Sequence, residues 1–333
     1  MSWGNDMSAP LTIADVEASA KRIAPYIEAT PLLTAPLLDE EIGFRLLVKA
    51  ENLQPIGAFK LRGAFNQILQ LTEDERRRGI IAVSSGNHAQ AVAFAARAMG
   101  VAATIVMPRD APRVKLERTK ALGARVEFYD RLSNDRDAMT RRLAEQDGLR
   151  FIHPYDDPRT IAGQGTIGLE IFAQTRAKDI APDAIIASCS GGGLASGIAL
   201  TLQLFERAPL MFTAEPAGFD DMRRSLESGA AQVNPALTGS ICDALLAPTP
   251  GRHTLPILLA CGARGLAATD AQVEAAMRIA AEHFRIVLEP GGAAALACAL
   301  EERERFAGKT VVVIASGGNV DRKDFAAILD RSS

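Results

Sequence analysis

A lysine between apolar neighbours is the first group in this chain from which chemistry can be argued. Lys60 stands in the run Glu51-Asn52-Leu53-Gln54-Pro55-Ile56-Gly57-Ala58-Phe59-Lys60-Leu61-Arg62-Gly63-Ala64. The pattern predicts a strand over 45–50, a bend at Pro55-Ile56-Gly57 and a helix from Lys60 to about Leu71. A lysine at such a helix start loses hydration and feels the positive helix end, so its ammonium form is disfavoured. A neutral amine is what imine formation with a carbonyl compound needs. Taken alone, the commoner reading is a surface lysine whose stem lies along apolar neighbours. The remaining motifs reverse that weighting.

Ser84-Ser85-Gly86-Asn87-His88 turns from a strand end into a helix. Small residues and free amides at such a turn can cradle a carboxylate, although an N-cap alone would need one of those side chains. Ser190-Gly191-Gly192-Gly193-Leu194 lies in a second strand-to-helix turn, where consecutive glycines let amides converge on a phosphate. Gly191 and Gly193 also match two glycines of a dinucleotide fingerprint, with Ser196 at the third position and Glu215 where a ribose-binding acid would stand. In Glu215-Pro216-Ala217-Gly218-Phe219-Asp220-Asp221, carboxylates six apart across a turn can fold onto one hard cation with a carbonyl between them. Acids in turns more often cap helices. Ser316, in Ser316-Gly317-Gly318-Asn319, falls at the carboxyl end of an apolar strand, where open α/β sheets bind ligands.

These motifs need elements to hold them. Strands are expected over 80–84, 103–107, 125–129, 184–188, 210–214 and 310–315. Helices are expected over 12–27, 88–99, 113–122, 136–146 and 273–283, with Thr12 and Asp15 as a capping box on the first. Alternation of this kind argues for α/β architecture with parallel sheets covered on both faces. The clearest composition shift lies at 148–160, around His153-Pro154-Tyr155-Asp156-Asp157-Pro158.

Among 333 residues, 48% are hydrophobic, enough for a sizeable core. With 37 basic against 40 acidic side chains and no basic run, neither nucleic acid nor an anionic membrane is expected as a partner. Cys189, Cys242, Cys261 and Cys298 form no CxxC, which fits free thiols in a cytoplasmic protein and no zinc site. Residues 1–10 do not read as a signal peptide.

Together the motifs GAFKLRGA, SSGNHAQ, SGGGL, AEP-x-x-x-DD and SGGNVD, in that order, resemble the fold-type II pyridoxal-phosphate enzymes. The threonine/serine dehydratase and serine racemase branch is most similar, over about Ile13 to Leu329. The resemblance implies a tryptophan synthase β-like fold of two open parallel-sheet domains, with 11–77 and 157–333 forming the large cofactor domain and 78–156 the small one. It implies that Lys60 holds pyridoxal 5'-phosphate as an imine and moves the substrate Cα proton. Phe59 would pack beside the ring, Asn87 would bond its 3'-oxygen, and Ser316 its nitrogen. The amides of Ser190, Gly191, Gly192, Gly193 and Leu194 would hold the phosphate. Ser84, Ser85, Asn87 and His88 would take the substrate carboxylate, and Ser85 would serve the face opposite Lys60. Glu215, the Phe219 carbonyl and Asp221 would bind Mg²⁺ or Ca²⁺.

The implied activity is dehydration of a β-hydroxy amino acid to a 2-oxo acid and ammonia. Threonine, serine, 3-hydroxyaspartate, an aryl-serine and a hydroxyectoine-derived amino acid all remain open as substrates. An amino-acid racemase, an NAD-dependent oxidoreductase and a non-catalytic amino-acid-binding regulator stand as alternatives. A homodimer is implied, and the short stretch after SGGNVD leaves no room for a regulatory domain. In departure from the family pattern, Ser190 replaces a glycine, Ala58 a serine, and Ala244 the glycine of Asp-Gly.

Overall fold

The computed structural model describes residues 10–109, 111, 113–130, 136–236 and 238–331, so most of the leader reading at 1–10 lies outside the described residues. Among the described residues, ten strands form two sheets: β1 (Leu32–Thr34), β2 (Arg45–Lys49), β3 (Ile80–Val83), β4 (Ala103–Pro108), β5 (Arg125–Tyr129), β6 (Arg150–Phe151), β7 (Ala184–Ser188), β8 (Leu210–Pro216), β9 (Arg264–Ala268) and β10 (Thr310–Ile314). The larger sheet runs β1-β2-β10-β7-β8-β9 and the smaller β5-β4-β3-β6. Every pairing is parallel except β1 with β2, so the expected parallel architecture carries one antiparallel edge strand.

Alternation along buried strands sends successive side chains to opposite faces. On β2 and β10, Leu46, Val48, Val311 and Val313 face the alanine-rich helix Pro290–Glu301. Leu47, Val312 and Ile314 face the other layer, with Ile167 and Ile171 of the helix Pro158–Arg176. The helix Lys60–Ile68 lies between the two sheets. Its Leu61, Ala64, Phe65 and Ile68 join the core of the smaller sheet, beside Ile80, Ile105 and Val92. Its opposite face meets the helix Pro158–Arg176 through glycine: a Cβ at Gly163 would sit 2.8 Å from the Gly63 Cα. Two helix axes can approach that closely only where no side chain intervenes.

The first expected helix is shorter than its pattern. It spans Ile13–Ile23 and passes into a 3₁₀ turn at Ala24–Tyr26, where Pro25 cannot continue the α-helical bonding. At its start the Asp15 carboxylate accepts from the Thr12 amide at 2.9 Å.

Candidate active site

Lys60 opens its helix because the chain before it is pinned to the loop after β10. Gly57 adopts φ +73°, which only glycine takes without strain, and its carbonyl accepts from the Gly318 amide at 2.9 Å. Ala58 bridges Gly317, and the Phe59 amide donates to the Ser316 carbonyl at 3.1 Å. The Lys60 Nζ lies 5.0 Å from the Phe59 ring centroid and donates to the Pro154 carbonyl at 2.7 Å. Burial pushes its pKa down to about 8, so roughly a tenth of the amine is neutral at pH 7, far more than for an ordinary lysine. The expected depression is present, and desolvation is its cause.

The helix is held from behind by a buried charge cluster. Arg62 is fully buried, meets both Glu51 oxygens at 2.8 Å, and reaches Glu170 at 2.6 and 3.0 Å. Lys49 completes it, 2.5 Å from Glu170 and also donating to the Thr30 carbonyl.

The loop after β3 carries Ser84, Ser85 and Asn87 half-buried and His88 buried. Ser84 Oγ accepts from the Gly86 amide at 3.1 Å. Asn87 donates through Nδ2 to the Glu289 carboxylate, and its Oδ1 accepts from Asn319 at 2.8 Å. His88 Nε2 lies 2.9 Å from the Ile152 carbonyl. Burial, and then the Lys60 charge, depress its pKa to about 3. The ring is therefore neutral, and because a carbonyl only accepts, the proton sits on Nε2. Its Nδ1 is an acceptor.

In the second glycine turn, none of the amides of Ser190, Gly191, Gly192, Gly193 and Leu194 donates to a backbone acceptor among the described residues. Gly192 has φ +95°. A Cβ at Gly191 would fall inside the Tyr155 ring, and one at Gly193 would sit 2.8 Å from the Tyr155 carbonyl. Ser190 is accommodated because its Oγ accepts from the Ala247 amide at 3.1 Å. Ser316 is buried at the end of β10, beside the Gly292 carbonyl.

Glu215 is fully buried, and its two oxygens accept from the Met222 and Arg223 amides at 2.9 and 2.8 Å, capping the helix Asp221–Ser228. Both oxygens are thereby engaged by backbone amides. Ser196, at the third fingerprint position, bonds back to the Gly192 carbonyl at 2.8 Å. The dinucleotide reading therefore loses its acid and its third glycine. Burial first, then Asp221, push the Glu215 carboxyl well up. Asp221 is raised to about 6 by burial; its Oδ1 accepts from Asn234, while the buried Oδ2 has no hydrogen-bond partner. Among the described residues, no cluster of three or more histidine, cysteine, aspartate or glutamate side chains is placed to hold a metal.

Sequence reasoning found the glycine turns but saw residues 152–156 only as a composition break. In the structure this segment touches three of the five motifs and the start of a further helix. Ile152 meets His88, Pro154 meets Lys60, Tyr155 covers the glycine turn, and the Asp156 carboxylate accepts from the Arg252 and His253 amides. Its local signal is ordinary loop chemistry, and its importance comes from where the fold lays it.

A desolvated amine of lowered pKa, a turn of amides without backbone acceptors among the described residues and a buried serine at a strand end together define a site for an aldehyde cofactor bearing a phosphate. The donor set fits pyridoxal phosphate. The chain belongs to the pyridoxal-phosphate dependent enzyme family, which matches residues 23–317, and its fold is of type II within that chemistry. Among individual relatives, L-threo-3-hydroxyaspartate ammonia-lyase from Pseudomonas sp is 39% identical, covering 95% of this chain and 97% of the relative. The structure of serine racemase from Dictyostelium discoideum is 39% identical with a TM-score of 0.85, covering 94% of this chain and all of that one. The T.th. threonine deaminase structure is 41% identical with a TM-score of 0.86, covering 93% of this chain and 99% of that one. No described helix is long and apolar enough to cross a membrane.

Proposed function

We propose that the protein is a pyridoxal-phosphate-dependent ammonia-lyase that dehydrates a β-hydroxy amino acid to a 2-oxo acid and ammonia. The observation that carries this reading is the Lys60 amine, lowered in pKa by desolvation and donating to the Pro154 carbonyl, one residue before the Tyr155 that lies against the glycine turn. Lys60, Phe59, Asn87, Ser316 and the amides of Ser190, Gly191, Gly192, Gly193 and Leu194 would hold the cofactor, which would supply an aldehyde for the substrate amine and a ring able to spread negative charge from Cα.

This chain's residues do the rest. Lys60, once released, takes the Cα proton, and its low pKa leaves the amine free to do so. Ser84, Ser85 and Asn87, with the amides of the 84–88 loop, orient the substrate carboxylate. His88 commits its one ring proton to Ile152, so it supports that loop without donating from Nδ1. Neutral Ser316, where an aspartate would protonate the ring nitrogen, leaves the ring a weaker electron sink, which suits rapid β-elimination.

Serine racemases among the relatives, with Ser85 in the carboxylate loop, support racemisation as a second activity. The two sheets support a large domain of 11–77 with 157–333 and a small domain of 78–156. A divalent cation at Glu215, the Phe219 carbonyl and Asp221 would relieve two buried, mutually repelling carboxylates and the orphaned Asp221 Oδ2. A cytoplasmic homodimer is the expected form; the four free cysteines accord with a reducing compartment.

Incubating purified protein with threonine, serine, 3-hydroxyaspartate, an aryl-serine and a hydroxyectoine-derived amino acid, with 2-oxo-acid detection, tests the reading. One or more should turn over, and Lys60→Ala should abolish it. Failure of the whole panel, or an active Lys60→Ala protein, would overturn the assignment.

A further inference from the structure

Beyond β6 the chain runs on through Ile152, His153 and Pro154, and each of the three carbonyls accepts from a side chain of a neighbouring helix. The Ile152 and Pro154 carbonyls meet the site, accepting from His88 Nε2 at 2.9 Å and Lys60 Nζ at 2.7 Å. Between them, the His153 carbonyl is taken by Gln67 Nε2 and Thr160 Oγ1, each at 3.0 Å. Gln67 stands seven residues beyond Lys60 on the same helix, and Thr160 lies on the helix Pro158–Arg176. Each is only 1% exposed, and Gln67 also donates to the Thr160 hydroxyl.

We propose that Gln67 and Thr160 are a positioning pair: by clamping the His153 carbonyl they fix the neighbouring Pro154 carbonyl, and so fix where the Lys60 amine points. The geometry supports an effect on the amine beyond general stability. The two carbonyls belong to consecutive peptides joined through the fixed φ of Pro154, so rotating the His153–Pro154 peptide would swing the Pro154 carbonyl and carry the Lys60 acceptor away. A carbonyl accepting from Lys60 fixes one N–H bond, which aims the lone pair. It also favours the ammonium form, opposing the burial that depresses the pKa. Of the titratable side chains on the packed elements, His88, from the helix Asn87–Ala98, feels the Lys60 charge, and His153, edge-on to Tyr155, lies beyond it. Arg62 points into its own carboxylates.

This inference rests on Lys60 being the cofactor lysine. Full-length apo-protein is mixed with pyridoxal phosphate, the adduct is trapped with borohydride, and its formation on Lys60 is followed by mass spectrometry across pH. The proteins compared are wild type, Gln67→Met, Thr160→Val and the double variant. Wild type should show a rate that levels off with a half-point near pH 8. In the double variant the plateau rate should fall about tenfold, through loss of orientation, and the half-point should move to lower pH. Each single variant keeps one donor to His153 and should fall between.

With amino-acid substrate, kcat should drop with the plateau while KM changes little. Variants with a lower melting temperature but the wild-type half-point and plateau would reduce the pair to a structural role and overturn the proposal. If the double variant does not fold, Gln67→Met decides by the same two readouts. Wild-type labelling that misses Lys60 would instead sink the cofactor-lysine assignment.

Discussion

Arg62→Met deletes a fully buried guanidinium that holds two carboxylates at once, Glu51 at 2.8 Å and Glu170 at 2.6 Å. With Lys49, the four charges cancel; without Arg62, two carboxylates face one ammonium. Glu51 is itself fully buried and would keep only the Thr30 hydroxyl, at 2.6 Å, from its present side-chain partners. Removing one partner of a buried ion pair costs about 3–5 kcal/mol. That is a large share of a total stability of about 5–15 kcal/mol.

The pH dependence has a definite sign. Burial alone would raise the Glu51 carboxyl, but Arg62 holds it below its ordinary 4.5, so in wild type Glu51 adds stability above that pH that is lost on acidification. In the variant, burial is opposed only by Lys49 and the Thr30 hydroxyl, so the carboxyl rises and acidification relieves the native state. The gap between the proteins should therefore narrow as pH falls from 7 to 5. Urea denaturation followed by circular dichroism measures it. A second variant, Arg62→Met/Glu51→Leu, leaves Lys49 and Glu170 as a balanced pair. It should lose less than the two single changes summed, with a coupling of about 1–3 kcal/mol. Losses that simply add, or a gap indifferent to pH, would refute the charge-cluster reasoning.

His88 has a native pKa of about 3 against 6.5 unfolded, so stability it contributes above pH 6.5 is lost as pH falls toward 3, about 2 kcal/mol of it by pH 5; melting curves for His88→Gln should lack that slope, and identical slopes would count against it. Gly191→Ala should force Tyr155 aside at a cost of about 1–3 kcal/mol and weaken pyridoxal phosphate binding in equilibrium dialysis; wild-type affinity would mean the turn yields freely. Ser85→Ala should suppress racemisation and D-substrate turnover by about 10²–10⁴-fold while L-dehydration falls much less; equal losses by chiral chromatography and 2-oxo-acid assay would leave Ser85 a helix cap. Chelation should lower the melting temperature and activity, with Mg²⁺ or Ca²⁺ restoring both, since a cation at a hundred times its Kd adds about 2.7 kcal/mol; no change in EDTA would remove the cation from Glu215 and Asp221.

The sequence by itself determined the motifs, their order and most of the sheet. Lys60, the glycines at 191–193 and Ser316 are legible because each sits at a strand end or bend whose signal is local. Strands β5 and β7 match their expected spans, and β3, β4, β8 and β10 differ only at one end, because short apolar runs between helical patterns have few other packings. The helix Pro158–Arg176 is absent from the periodic reading, since Gly163, Gly165 and Gly168 weaken its pattern. Those glycines make sense only in three dimensions, where Gly163 meets Gly63 and Gly165 meets Gly197.

Tertiary structure alone decided which atoms meet. Lys60 and its Pro154 acceptor are 94 residues apart, and Arg62 and Glu170 are 108 apart. Residues Ile152, His153 and Pro154 have no motif to announce them, yet their carbonyls join the lysine, the carboxylate loop and the long helix. Glu215 reads identically in one dimension as ribose ligand, metal ligand or cap. Burial and two amides within hydrogen-bond reach show it capping a helix, a role it would share with holding the proposed cation. A residue's type and local spacing say what it can do. Its desolvation and its partners, set by contacts between distant segments, say what it does.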